Sequence, residues 1–158
     1  MISSDSQTLL LLCSQLGLHS EPEFSPLTLR EWNPLARKIQ AASLRPADLL
    51  NFSQADLQTH LELSTEQATR ITRLLERIGA LAIALERLNN LGIHVLTRAD
   101  SDYPERYRTR LKDSAPAVLF YAGEKALLGQ PGIAVVGSRH LDEAGKECAA
   151  FVGNACGL

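Results

Sequence analysis

Gly137, Ser138 and Arg139 are the residues of this chain whose types and spacing best suit chemistry. The apolar run Ile133-Ala134-Val135-Val136 leads into them, and residues 141–152 after them carry a helical pattern. A buried strand, a tight turn and a helix N-terminus make a seat for phosphate, because free backbone N–H groups and the helix dipole both favour an anion. In such a turn Gly137 lets a ligand approach the backbone. Ser138 donates a hydroxyl and caps the helix, and Arg139 offers a planar fork to phosphate oxygens. Asp142 and Glu143 in the first helical turn suit the dipole but oppose an incoming phosphate.

The tripeptide is neither of the two common nucleotide loops. A dinucleotide fingerprint would need glycines where Arg139 and Asp142 stand. A Walker A loop would need Gly145-Lys146 closer to Gly137, and Ser or Thr in place of Glu147. Hydride transfer and ATP hydrolysis are therefore poor fits, and no cofactor or metal is expected. His19, His60, His94 and His140 stand apart without ligand spacing, and no nucleophile–base arrangement or paired carboxylates emerge. Cys13, Cys148 and Cys156 have neither metal spacing nor a disulfide framework. They are expected to be ordinary core or semi-buried thiols of a reducing, cytoplasmic compartment.

The net charge of −2 gives no global attraction to nucleic acid or membranes but leaves room for a local basic patch. Arg98, Arg106, Arg108, Arg110 and Lys112 surround Tyr103 and Tyr107, a mixture suited to single-stranded nucleic acid. Asp100, Asp102, Glu105 and Asp113 nearly cancel that charge, and most of the segment reads as a solvated linker.

These residues must be positioned by a largely helical chain. A first helix from about Asp5 to Leu16 uses Leu9–Leu12 as its buried side; the run is too short for a signal core or a membrane span. Thr28 and Glu31 form a capping box for a second helix with Trp32, Leu35, Ala36 and Ile39 on one face. Short helices follow at Pro46–Asn51 and Ser53–His60. The Ser64/Gln67 box should open one long helix to about Asn90. Along it, Arg70, Arg73 and Arg77 read as a solvated flank balanced by Glu66 and Glu76, in preference to a basic stripe for nucleic acid. Ile93–Thr97 and Val118–Tyr121 read as strands, 98–117 as irregular, Lys125–Leu128 as a short helix and Ile133 as the start of a third strand.

Tyr103-Pro104, Leu111, Ala115-Pro116, Val118-Leu119-Phe120, Gly123 and Val135-Val136-Gly137-Ser138-Arg139 together resemble the N-terminal part of the DprA/Smf DNA-processing family. The strand Gly92-Ile93-His94-Val95-Leu96-Thr97 fits the same pattern. The resemblance covers about residues 90–158, and residues 1–90 only as a helical architecture. It implies a mixed fold: an all-α, SAM/HhH-like helical domain over 1–90, then the truncated beginning of an α/β Rossmann-like domain over 91–158. It also implies a non-catalytic protein that binds single-stranded DNA and loads a RecA-type recombinase during DNA uptake and natural transformation. Gly137, Ser138 and Arg139 would then be phosphate contacts, with no membrane partner and a homodimer as an option for the full-length protein. The alternative is a nucleotide-ligand sensor or nucleotide-processing domain of the same superfamily, of the kind found in phage defence. One strand and one helix have little to pack on, so residues 133–158 should be less protected than the bundle.

Overall fold

Four consecutive leucines point to every side of a helix, so all of them can be buried only if the helix is surrounded. The protein, seen in a computed structural model that describes residues 2–18, 25–132, 136–137 and 140–156, solves the problem in that way. Helix α1 (Ser4–Cys13) is the central rod, and Leu9–Leu12 are at most 2% exposed. It is shorter than the sequence suggests: the backbone turns extended at Ser14 (φ −127°, ψ 157°), whose N–H and hydroxyl still bond the Leu10 carbonyl. Around α1 pack α2 (Leu29–Ala41), a 3₁₀ turn at Pro46–Asn51, α3 (Gln54–Leu61), α4 (Thr65–Leu75) and α5 (Ile78–Asn90). Of these, α2, the 3₁₀ turn, α4 and α5 touch α1 directly, and α3 reaches the bundle through α2 and α4. Trp32, Leu35, Ile39, Leu49, Leu57, Leu61, Ile71, Leu74 and Leu81 complete the core.

The helix starts follow the side-chain signals. The Ser53 hydroxyl accepts from the Asp56 N–H at 3.2 Å while the Asp56 carboxylate accepts from the Ser53 N–H at 2.8 Å. Ser64 and Gln67 repeat the exchange at 3.2 and 3.1 Å. At α2 the Glu31 carboxylate accepts both the N–H and the hydroxyl of Thr28, at 2.7 and 2.8 Å, and pairs with Arg70 at 2.5 Å. The hydrogen bond from Arg70, with those from Thr28, holds this carboxyl at about 2, below its ordinary 4.5. A depressed carboxylate pKa stabilises the fold above the unfolded value, and that contribution is lost as pH falls through the folded one. Glu31→Gln should therefore lower stability at neutral pH by about 1 kcal/mol or less, since solvent screens this partly exposed pair. The gap between variant and parent should close between pH 4.5 and about 2 in urea melts; a gap constant with pH would show that the charge is not what matters.

One long helix to Asn90 does not form. Regular α4 stops at Leu75, and Arg77 takes φ −79° and ψ 15° before α5 begins. The cause is the Arg77 side chain, which turns inward instead of flanking the helix. Its guanidinium donates to the carbonyls of Leu11, Leu16 (3.0 Å) and Leu74 (3.1 Å). It thus satisfies carbonyls that the end of α1 leaves open. Arg70 likewise reaches Glu31 and the Ser25 and Pro26 carbonyls. These two arginines are scaffold, tied across the bundle and not to Glu66 and Glu76.

Strands β1 (Ile93–Thr97) and β2 (Val118–Ala122) pair antiparallel, with Ile93 opposite Ala122 and Leu96 opposite Leu119. Both pack on α1, and Val95 and Val118 join its core. The intervening segment is not irregular throughout. It holds α6 (Glu105–Leu111), entered through Pro104, and a 3₁₀ turn at Lys112–Ser114. Helix α6 buries no residue, so it lacks the apolar period that would reveal it.

By contact the chain divides into Met1–Leu128 and Gly129–Leu158, so the strand pair lies with the helices. In the second unit α7 (Glu143–Cys156) buries none of its residues, and Phe151 is 74% exposed. The third strand expected at Ile133 falls mostly outside the described residues. No helix among the described residues is long and apolar enough to cross a membrane.

Candidate nucleic-acid interface

The turn singled out by sequence lies before α7. Gly137 is exposed, and among the described residues a Cβ built on it would touch only a methyl of Leu141, at 3.7 Å. Ser138 and Arg139 lie outside the described residues. The helix after them starts later than expected, at Glu143, and Asp142 caps it. The Asp142 carboxylate accepts the Gly145 N–H at 2.9 Å, and its carbonyl accepts the Lys146 N–H at 3.1 Å. Asp142 suits this role because its carboxylate oxygen reaches the N–H three residues on. A phosphate at Gly137–Arg139 would therefore rely on the turn and its side chains, since a carboxylate already occupies the helix end.

The Tyr103-Pro104 pattern proves to be an anchor. Tyr103 is 2% exposed, and its hydroxyl donates to the Pro116 carbonyl at 2.8 Å. Burial raises its phenol pKa above the ordinary value. The Arg108 guanidinium lies 4.9 Å from the Tyr103 ring centre and donates to the carbonyls of Arg98 (2.8 Å) and Asp100 (2.9 Å). Arg98 in turn donates to the Asn33 side chain at 3.0 Å. Two of the five cations that read as linker charge, Arg98 and Arg108, thus lock the loop together. Arg110 and Lys112 remain exposed.

Sequence reasoning passed over Asp100. Its carboxylate accepts the Ser6 hydroxyl at 2.5 Å, the Thr97 N–H at 2.6 Å and the Thr97 hydroxyl at 3.0 Å. Ser6 and Thr97 are each 1% exposed. The signal was available in Thr97-Arg98-Ala99-Asp100, where an Asp three residues after a Thr can bond back to its backbone.

Beside this knot lies an open cleft of about 860 Å³, lined among others by Asp5, Arg45, Glu86, Asp100, Tyr121 and Lys125. Arg45 is paired with Asp5 at 2.5 Å and Lys125 with Asp102 at 2.6 Å. The Lys125 ammonium lowers the pKa of Asp102 through that hydrogen bond. Carboxylates outnumber cations on these walls, which disfavours a phosphate-bearing ligand.

The thiols divide. Burial, only partly offset by Arg98, pushes Cys13 up to about 12, so it is inert. Cys148 and Cys156 are exposed, against the expectation of buried or semi-buried thiols, because α7 packs on nothing within its unit that covers them. No group of His, Cys, Asp and Glu suited to a metal ion occurs among the described residues.

Residues 94–156 match the family model described as DNA recombination-mediator protein A. The match starts inside β1 and runs through α6, β2 and the Gly137 turn into α7. Comparisons with curated proteins and with solved structures found no match.

Proposed function

We propose, for a chain whose residues 94–156 match the model of the DNA recombination-mediator protein A family, a role in binding single-stranded DNA and handing it to a RecA-type recombinase. The observation that carries the reading is the span of the family match, which takes in the Gly137-Ser138-Arg139 turn together with the Tyr103 anchor. On this reading the protein works without catalysis in the cytoplasm, as part of DNA uptake and natural transformation. Residues from about 91 onward begin a Rossmann-like domain, and residues 1–90 are its SAM/HhH-like companion. A homodimer of the full-length protein is compatible with this role.

Phosphate contact falls to Gly137 through its backbone, to Ser138 through its hydroxyl and to Arg139 through its guanidinium. Such a site reads backbone and not base edges, so binding should be indifferent to sequence and fall steeply with salt. The acidic walls of the cleft beside Asp100 argue against a nucleotide-sensing role for that cavity. Fluorescence anisotropy of labelled oligo-dT tests the proposal on the 158-residue chain. Arg139→Ala should weaken binding about tenfold at low salt, as expected for one charge-assisted contact of roughly 1.5 kcal/mol. Equal affinity of variant and parent would remove Arg139 from the site.

A further inference from the structure

We infer that the face of the first unit made by α2 and the turn at residues 110–113 is a second contact surface for the backbone of single-stranded nucleic acid, separate from the Gly137 turn. The inference rests on the DNA-binding reading above.

Arg30, Asn33 and Arg37 lie three and four residues apart, so they share one side of α2. The 110–113 turn packs against that side. The Asn33 amide donates to the Asp113 carbonyl at 2.8 Å, and Arg37 pairs with the Asp113 carboxylate at 2.5 Å. Arg98 approaches from the other flank through its 3.0 Å bond to Asn33. Lys112 precedes Asp113, and Arg110 lies in the last turn of α6. Arg37, Arg98, Arg110 and Lys112, from three separate stretches of sequence, thus lie about one asparagine and one aspartate, and Arg30 stands one turn earlier on α2, beside the cleft toward α4.

The acids on the same elements face other partners. Glu31 is held by Thr28 and Arg70. Glu105 lies 3.9 Å from Arg108 at the opposite end of α6. Asp113 remains, already paired with Arg37. Arg30, Arg110 and Lys112 are exposed and make no ion pair among the described residues, and the Arg37 side chain is 65% exposed despite its pair. In a chain of net charge −2 this is a strong local segregation. A polyanion with flexible, regularly spaced charges fits it: phosphates can meet scattered guanidinium and ammonium groups without a preformed pocket. An acidic protein segment would fit the charge but would need a cluster of apolar anchors, and Leu111, 43% exposed, is the one exposed large apolar side chain on the described part of this face.

The test uses the full chain with labelled oligo-dT across a salt series, comparing the parent with the triple variant Arg30→Gln, Arg110→Gln, Lys112→Gln and, separately, with Arg139→Ala. Arg37 and Arg98 are left intact because they hold the loop. The triple variant should melt with the parent, lose about tenfold in affinity at low salt and flatten the slope of log K against log salt by about 2, as three lost contacts to a single strand imply. Binding by the parent with an unchanged slope in the triple variant overturns this inference and leaves the DNA-binding reading standing. A parent chain that does not bind oligo-dT overturns both. Loss in the triple variant with no effect of Arg139→Ala supports this face and removes the turn.

Discussion

Gly17→Ala should destabilise the protein by about 3 kcal/mol or more, the largest effect of any glycine-to-alanine change among the described residues. Gly17 sits just beyond α1 with φ +71°, a conformation that costs a residue with a Cβ about 1–2 kcal/mol. Space is the greater problem. A Cβ at this position would lie 2.8 Å from both the Ala80 carbonyl carbon and the Leu81 nitrogen. Both atoms belong to the backbone of α5, so no side-chain rotation relieves the clash, and α5 must shift from the core where Leu81 is fully buried. Urea denaturation of parent and variant measures the loss. A change under 1 kcal/mol would mean that the α1–α5 crossing is loose. Gly92, also at positive φ (+69°), is the control: nothing lies within 4 Å of its Cβ, and only the conformational part of the cost should appear.

The contrast between these two glycines shows what the sequence makes legible. Both end an apolar helical pattern and both are recognisable as stop signals. That one of them is also the contact point of two helices depends on a residue 63 positions away, and no local pattern carries that information. The same division runs through the fold. Capping at Thr28, Ser53 and Ser64 is encoded within four residues and was readable. The break at Arg77 was not, because its cause is the set of open carbonyls at the end of α1. An inward-turned arginine is spelled the same as a solvated one. Helix α6 escaped for a different reason: it is held by polar bonds and by Arg108 on Tyr103, which leave no apolar period.

The candidate residues divide along the same line. Gly137-Ser138-Arg139 stands out in the sequence because the motif is contiguous, and the family match over 94–156 encloses it. The basic face on α2 does not, since Arg30, Arg98 and Lys112 belong to three segments whose own neighbours nearly cancel their charge. Counting charge along the chain hides a patch that forms only when Asn33 and Asp113 bring the segments together.

Asp100→Ala should be nearly as damaging as the change at Gly17, at about 3 kcal/mol. Its carboxylate is the acceptor for two hydroxyls and one backbone N–H, and the groups it serves belong to residues sealed from water. Removing an acceptor costs more than the bond itself, because the stranded donors keep the full penalty of desolvation, about 1–3 kcal/mol for each group left unpaired. The hydroxyls of Ser6 and Thr97 can still bond each other, at 3.0 Å, which limits the loss. The Thr97 N–H has no such substitute. Asp100→Asn separates the two contributions: it keeps one oxygen for these donors but turns an NH₂ toward the rest, so its cost should be intermediate. The damage should also be local in character. Ser6 lies on α1 and Thr97 ends β1, so Asp100 ties the strand pair to the central helix. Amide exchange should therefore quicken at β1 and β2 more than in α3 and α4, which are joined to the bundle by contacts of their own. Uniform acceleration across the chain would show instead that Asp100 acts only through global stability. Loss confined to the strands would identify it as the residue that fixes the segment carrying the Tyr103 anchor against the helical core.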